Sequence, residues 1–243
     1  MKIGTKEFDL EHEFYVMGIL NVTPDSFSDG GRYNDLDHAL QQAERMVEEG
    51  AAILDVGGES TRPNHIKISS EEEIERVCPV IEALKQRFDV PVSLDTYKSD
   101  VAVAGIEAGA DLLNDIWGLK WDGTMAKVIA DAGIACCLMH NRRENVYNDL
   151  VEDVLNDLRE CVDLALAAGI ARDKIMLDPG IGFAKDLDQY LSVMKQIGRI
   201  KVLGYPILLG TSRKSMIGLT LDLPVSEREE GTLATSIIGL MEG

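Results

Sequence analysis

The sequence predicts an α/β fold of the TIM-type (β/α)8 barrel, a single domain over residues 1–243 with the last βα unit absent from them. Three observations predict it. Short apolar runs alternate with longer amphipathic segments from end to end, the pattern of parallel βα units. A Gly after Glu or Ala recurs at the joints, as in Glu49-Gly50, Ala108-Gly109, Ala132-Gly133 and Ala168-Gly169, marking helix-to-strand turns. Nearly every apolar run ends in a polar residue. No low-complexity linker divides the chain.

The elements follow in order. Lys2–Leu10 reads as a small hairpin ahead of the first barrel strand, Phe14–Leu20. Leu36–Glu49 sets Ala39, Leu40, Ala43, Met46 and Val47 on one helical stripe. After the run Ala52–Val56, Glu72–Phe88 repeats the stripe with Ile74, Val77, Ile81 and Leu84, opened by a Ser70/Glu73 capping box. Val92–Leu94, Leu112–Leu113 and Ile134–Met139 are the next runs. Val151–Ala167 is helical through Val154, Leu155, Leu158, Val162 and Leu166. Ile175–Leu177 and Ile207–Leu209 complete the strands, and Leu233–Met241 is an apolar terminal helix. Seven units leave a barrel with two raw edges. Either the chain is truncated at its C-terminus or something else fills the gap. A doubly wound open sheet is the alternative that needs no missing strand.

Charge narrows the partners. Forty-two acidic against 24 basic residues give a net charge of −18, which repels nucleic-acid backbones and anionic lipid. An anionic substrate then requires a locally basic site. There is no signal peptide and no stretch long enough to span a bilayer, so the expected location is the cytoplasm and no membrane is involved. Cys78, Cys136, Cys137 and Cys161 form no CxxC pair. Cys136 and Cys137 are strand neighbours that face opposite sides. All four read as structural thiols of a reducing compartment.

The polar run ends carry the functional signal: Asn21, Asp55, Asp95, Asn114-Asp115, His140-Asn141, Asp178 and Thr211-Ser212. In a parallel barrel these ends converge on the rim where barrel enzymes hold their sites. Helix capping explains one or two of them but not seven in register. The set is rich in Asp and Asn and contains no HExxH, GxSxG or P-loop. Such groups suit a flat heterocycle edged with donors and acceptors. Three loops add to this. Asn21–Gly31 is long and turn-rich, a lid or a surface turn. Gly57–Pro63 offers N–H groups, hydroxyls and Arg62 to a phosphate or carboxylate. In Gly210–Ser215, Ser215 is either a plain N-cap or, with Arg213 and Lys214, part of an anion site.

At these residues the chain resembles the dihydropteroate synthases. The stretches Asn21–Gly31 (NVTPDSFSDGG), Asp55–Pro63 (DVGGESTRP), Asp95-Thr96-Tyr97, Asn114–Gly118 (NDIWG), Met139–Arg142 (MHNR), Asp178–Lys185 (DPGIGFAK) and Gly210–Ser215 (GTSRKS) stand in that family's order across the whole chain. The resemblance implies a transferase that condenses dihydropterin pyrophosphate with p-aminobenzoate, a sulfonamide target acting as a homodimer. It implies that Asp95, Asn114, Asp178 and Lys214 hold the pterin, with Met139 beside them. Asn21 would help to hold Mg2+ with the pyrophosphate. Phe183, Pro63 and Ser215 would line the p-aminobenzoate site. Phe27, Asp29, Thr61 and Arg62 would act from the two loops, with Asp29, Phe27, Arg62 and Lys214 as the catalytic set. No protein nucleophile is required, and His140 need not be a base.

The chain departs from the family's pattern at the end, where a strand with Arg-x-His is usual. Truncation by one βα unit, with weak pyrophosphate binding and turnover, is the expectation. Asn64 stands where glycine is common and Tyr190 where asparagine is common. A methyltetrahydrofolate–corrinoid methyltransferase and a non-catalytic pterin-binding module are the competing readings.

Overall fold

The structure, a computed structural model, describes residues 1–23, 31–60 and 67–242. A two-stranded antiparallel hairpin, β1 (Lys2–Ile3) and β2 (Lys6–Glu7), precedes a parallel sheet. That sheet is built from β3 (Val16–Asn21), β4 (Ala51–Gly57), β5 (Val92–Asp95), β6 (Leu112–Asp115), β7 (Ala135–Met139) and β8 (Ile175–Asp178). Between them run α1 (Gly31–Glu48), α2 (Ser70–Arg87), α3 (Ser99–Glu107), α4 (Met125–Ala132) and α5 (Leu150–Ala167). Helices α6 (Leu187–Lys195), α7 (Ser215–Leu221) and α8 (Glu229–Glu242) follow β8.

The strands pair in strict sequence order, β3-β4-β5-β6-β7-β8. A doubly wound sheet reverses its order at a switch point. None of the described strands does, so the winding is that of a barrel, as expected. The seventh run is reduced to one parallel bridge, Leu177 to Ile207, with Leu177 N–H donating to Pro206 O at 2.9 Å and Leu208 N–H to Leu177 O at 2.9 Å. Pro206 has no N–H to extend the ladder, and no described strand lies on its far side. Among the described residues the sheet is therefore not closed. Val16 and Ile19 on β3 stay exposed, as do Leu233, Ile237, Ile238 and Leu240 along α8.

Strand pleating divides the core in two. Leu54, Val56, Leu94, Leu113, Cys136, Leu138 and Leu177 pack outward against the helices. Ile53, Leu112, Cys137 and Met176 point inward and are stoppered by Ile3 and Phe8 of the hairpin. The adjacent cysteines thus sit in separate cores. Burial pushes the thiols of Cys136, Cys137 and Cys161 upward, Cys161 to about 12. Cys78 is half-buried.

Local chemistry ends the helices where glycine allows. Gly50, Gly109, Gly133 and Gly169, each following a helix, take positive φ, the left-handed conformation that side chains resist. One expectation is corrected: Ser69, not Ser70, caps α2, its hydroxyl accepting from Glu72 N–H at 3.2 Å. With the cap at Ser69 the box position passes to Glu72, and Glu73 turns its buried carboxylate to Lys98 Nζ at 2.7 Å. A capping box is present at α6, between Asp186 and Gln189.

Helix α3 seats on β5 through Gly105, where a Cβ would lie 2.2 Å from Leu94 Cδ2. Gly105→Ala should cost about 1–3 kcal/mol through overpacking, read as a lower urea midpoint. An unchanged midpoint would show that α3 can lift without penalty.

Candidate active site

The inward face that is apolar near the hairpin turns polar at the strands' C-terminal ends. Counting by two from Ile53 gives Asp55 and Gly57, from Ser93 gives Asp95, from Leu112 gives Asn114, and from Met176 gives Asp178. The pairing sets Asn21, Gly57, Asp95 and Asn114 in one row, with Met139 opposite Asp178 in the next pair. Asn114 Nδ2 donates to Asp55 Oδ2 at 3.1 Å. Glycines keep this floor open. A Cβ on Gly57 would come within 3.5 Å of Asn21 Oδ1 and 3.6 Å of Asp95 Oδ2, and one on Gly210 within 3.6 Å of Asp178 Oδ2.

Three carboxyl groups in such a space are hard to ionise. Burial raises Asp178 to about 6, against the pull of Gly180 N–H at 2.6 Å and of Lys214 and Lys185. Asp95 is held well above the usual carboxylate range by burial and then by Asp55 and Glu73, with Lys214 opposing. Burial also raises Asp55, with Ser93 and Asn114 opposing, and its Oδ1 has no partner within bonding geometry among the described residues. Lys214 is the cation of this cluster. Burial lowers its ammonium, and Asp178 and Asp95 draw it back up. Its Nζ lies 4.5 Å from the centre of the Phe183 ring, and Gly182, at φ +98°, leaves room for its stem. Beside this, Tyr97, Ile116 and Met139 pack with Trp117, Trp121 and Phe183 into an apolar wall. The arrangement can grip a planar molecule by its polar edge while its faces meet apolar groups.

The structure thus brings together Asp95, Asn114, Asp178 and Lys214, with Phe183 and Met139 adjoining. Asn21 is exposed at the rim, and Ser215 is the exposed first residue of α7, with no side-chain cap bond from Lys214 before it. Phe27, Asp29, Thr61, Arg62, Pro63 and Asn64 lie outside the described residues. Tyr190 is buried in the helix-side core, away from this cluster.

The expectation that all polar strand ends share one rim site is corrected. Asp115 and His140 have the opposite parity. Asp115 accepts from Trp117 N–H at 2.8 Å and Leu119 N–H at 2.7 Å, and so folds the turn after β6. His140 meets Asp157 of α5, Nε2 to Oδ2 at 3.0 Å, and burial pushes it down to about 4. It is a neutral structural histidine. Sequence reasoning missed two lysine contacts beside the site. Lys98 Nζ binds Glu59 at 2.8 Å and Ile68 O at 2.8 Å, and Lys185 Nζ binds His140 Nδ1 at 2.9 Å. Neither lysine ends a strand, so the strand-end signal passed over both.

Among the described residues no group of three or more His, Cys, Asp or Glu side chains could hold a metal. The oxygen at hand is the Asn21 amide, next to Asp95 across Gly57. One hard oxygen donor fits a magnesium ion that keeps its waters and takes its other ligands from a phosphate substrate.

Comparison with known proteins agrees with this geometry. Residues 17–243 match a family model described as pterin binding enzyme. A dihydropteroate synthase of Clostridium beijerinckii is 60% identical over 242 residues, covering 100% of this chain and 90% of the relative. That of Bacillus subtilis is 54% identical over 228 residues, covering 94% and 80%. Among solved structures, a Clostridium difficile dihydropteroate synthase in the presence of pteroic acid superposes with a TM-score of 0.95 at 49% identity, covering 98% of this chain and 90% of the other. A Yersinia pestis dihydropteroate synthase with a sulfonamide drug complex gives 0.91 at 42% identity, covering 100% and 89%.

Asp178 sets a stability trade. Its carboxyl ionises at 3.8 when exposed and at about 6 here. Below the lower value both folded and unfolded chains are protonated. Between the two, the unfolded chain ionises first and folding weakens, and above about 6 the full penalty is present. Asp178→Asn should therefore stabilise the free protein by on the order of 1–3 kcal/mol at about pH 8 and by less at about pH 5. Thermal unfolding at the two pH values measures it. An equal shift at both would show that burial of the charge is not the cause.

Proposed function

Since the chain belongs to the dihydropteroate synthases of the pterin-binding enzyme family, we propose how its own residues carry out that condensation. The substrates are 6-hydroxymethyl-7,8-dihydropterin pyrophosphate and p-aminobenzoate, and the products are 7,8-dihydropteroate and pyrophosphate. Asp178 accepts the two-donor edge of the pterin. Asn114, its Nδ2 committed to Asp55 at 3.1 Å, presents its amide oxygen to a donor on the ring. Asp95 accepts a further ring N–H, and Lys214 donates to the carbonyl side. Each buried carboxyl recovers in these bonds what it lost on leaving water.

The bond from the methylene carbon to oxygen breaks, and its electron pair leaves with pyrophosphate. The cation left behind is delocalised into the ring, which Asp95, Asp178 and Asp29 favour electrostatically. The neutral aryl amine then forms the carbon–nitrogen bond and sheds its proton. Phe183, Pro63 and Ser215 line the aryl ring's place, with Met139 on the pterin side. Phe27, Thr61 and Arg62 act from the two loops. Asn21 supplies the protein oxygen for Mg2+, which when bound neutralises charge on the departing pyrophosphate.

The observation that carries this reading is one cluster, three carboxyls with an orienting amide and the Lys214 ammonium. The identity to synthases outweighs the methyltransferase alternative. We extend the reading to a single pterin-binding domain, a cytoplasmic location and a homodimer. The apolar residues along α8 support the dimer, and no described helix is long and apolar enough to cross a membrane.

The test is pyrophosphate release with dihydropterin pyrophosphate, Mg2+ and p-aminobenzoate. Release should depend on the arylamine, and Lys214→Met should lower kcat/KM about 100-fold, near 3 kcal/mol, by removing a charge-assisted bond in a dry site. Pterin binding without turnover, in a chain carried through to its natural stop codon, would favour a non-catalytic binding module.

A further inference from the structure

Between β8 and α6 the chain makes a six-residue turn, Pro179–Ala184, that carries Phe183. It is an awkward path. Gly180 and Gly182 take positive φ (70° and 98°), and so does Ala184 at 46°, where a side chain is disfavoured. Gly180 has no room to be anything else, since a Cβ there would lie 2.0 Å from His140 O. The turn has little ladder of its own, one bond from Phe183 N–H to Gly180 O at 3.1 Å.

Side chains from elsewhere draw in its carbonyls. Lys185 Nζ, almost fully buried, lies 3.2 Å from Pro179 O, 3.1 Å from Gly180 O and 3.2 Å from Phe183 O. Its fourth partner is His140 Nδ1 at 2.9 Å. Asp157 accepts from His140 Nε2, which leaves Nδ1 as a lone pair aimed at the ammonium. Arg142 holds the same Asp157 through Nε at 2.5 Å and Nη2 at 3.1 Å. From the outer side the Tyr147 hydroxyl donates to Ala184 O at 2.6 Å.

We propose that Lys185, backed by His140, Asp157 and Arg142, is the positioning residue of the arylamine subsite: it fixes the Pro179–Ala184 turn and thereby the Phe183 ring. The inference rests on the function proposed above and deepens it. Lys185 touches no reacting atom, because protein acceptors occupy its protons. The pterin-binding Asp178 leans on it less, through the charge of Lys185 and through Gly180 N–H of the turn, 2.6 Å from its Oδ1. Asp178 belongs to β8, and its carbonyl is tied into the sheet by His140 N–H at 2.8 Å. The two substrates should therefore respond differently to loss of the anchor.

Steady-state kinetics of the whole chain, varying each substrate in turn, tests this. Lys185→Met should raise KM for p-aminobenzoate about tenfold or more, with KM for the pterin pyrophosphate and kcat each changed less than about threefold. Tyr147→Phe, which loosens the same turn while keeping the buried lysine, should raise the same constant by about two- to fivefold. It carries the test if Lys185→Met does not fold. Both KM values rising together, or a fall in kcat with neither changed, would overturn the proposal. Wild-type chain carried through to its natural stop codon with no arylamine-dependent turnover would overturn the functional reading itself, and is seen before any variant is made.

Discussion

The two-residue period of a parallel strand is the constraint on which this molecule depends. A side chain at a strand's C-terminal end faces either the barrel interior or the helices, and one residue decides which. Asp55, Asp95, Asn114 and Asp178 have interior parity and become a site. Asp115 and His140 have the other and become struts, one folding a turn and one joining β7 to α5. The same alternation sends Ile53, Leu112, Cys137 and Met176 down to meet the hairpin, so that one face is apolar at its base and polar at its mouth.

That geometry explains what was legible in the sequence. The order of elements was plain, because strands β4 to β8 are buried on both faces and the helices between them show a stripe. The interior-facing residues Asp55, Asp95, Asn114 and Asp178 were legible as polar ends of apolar runs. The division of such ends into two faces was present as parity, but parity needs a fixed register, and the hydrogen-bonded ladder supplies it. Lys98 and Lys185 were not legible. A lysine reads as surface until three or four acceptors converge on it, and those acceptors come from positions as distant as Glu59, Glu73 and His140. The cap of α2 was misplaced by one residue because Ser69 and Ser70 are equivalent as text, whereas Glu73 has a partner that only the fold supplies.

The electrostatics follow a single logic. A chain with a large excess of acid keeps its buried cations where carboxyls crowd. Lys214 answers Asp95 and Asp178, and Lys98 answers Glu59 and Glu73. Beside the first of these, Asp55 Oδ1 has no hydrogen-bond partner among the described residues. Such unsatisfied acceptors cost stability in the free protein and are recovered only by a ligand rich in N–H groups. A site of this kind is built to be incomplete without its substrate.

The paired thiols of β7 have a use that the reaction does not touch. Cys136 lies among the helices and Cys137 above the hairpin stopper, each fully buried and held in the unreactive thiol form. A thiol-reactive dye can meet either one only when the wall around it parts. The molecule therefore carries two native clocks one residue apart, one timing the lifting of the helical layer and the other the withdrawal of the stopper. The half-buried Cys78 serves as their common reference for the reagent itself.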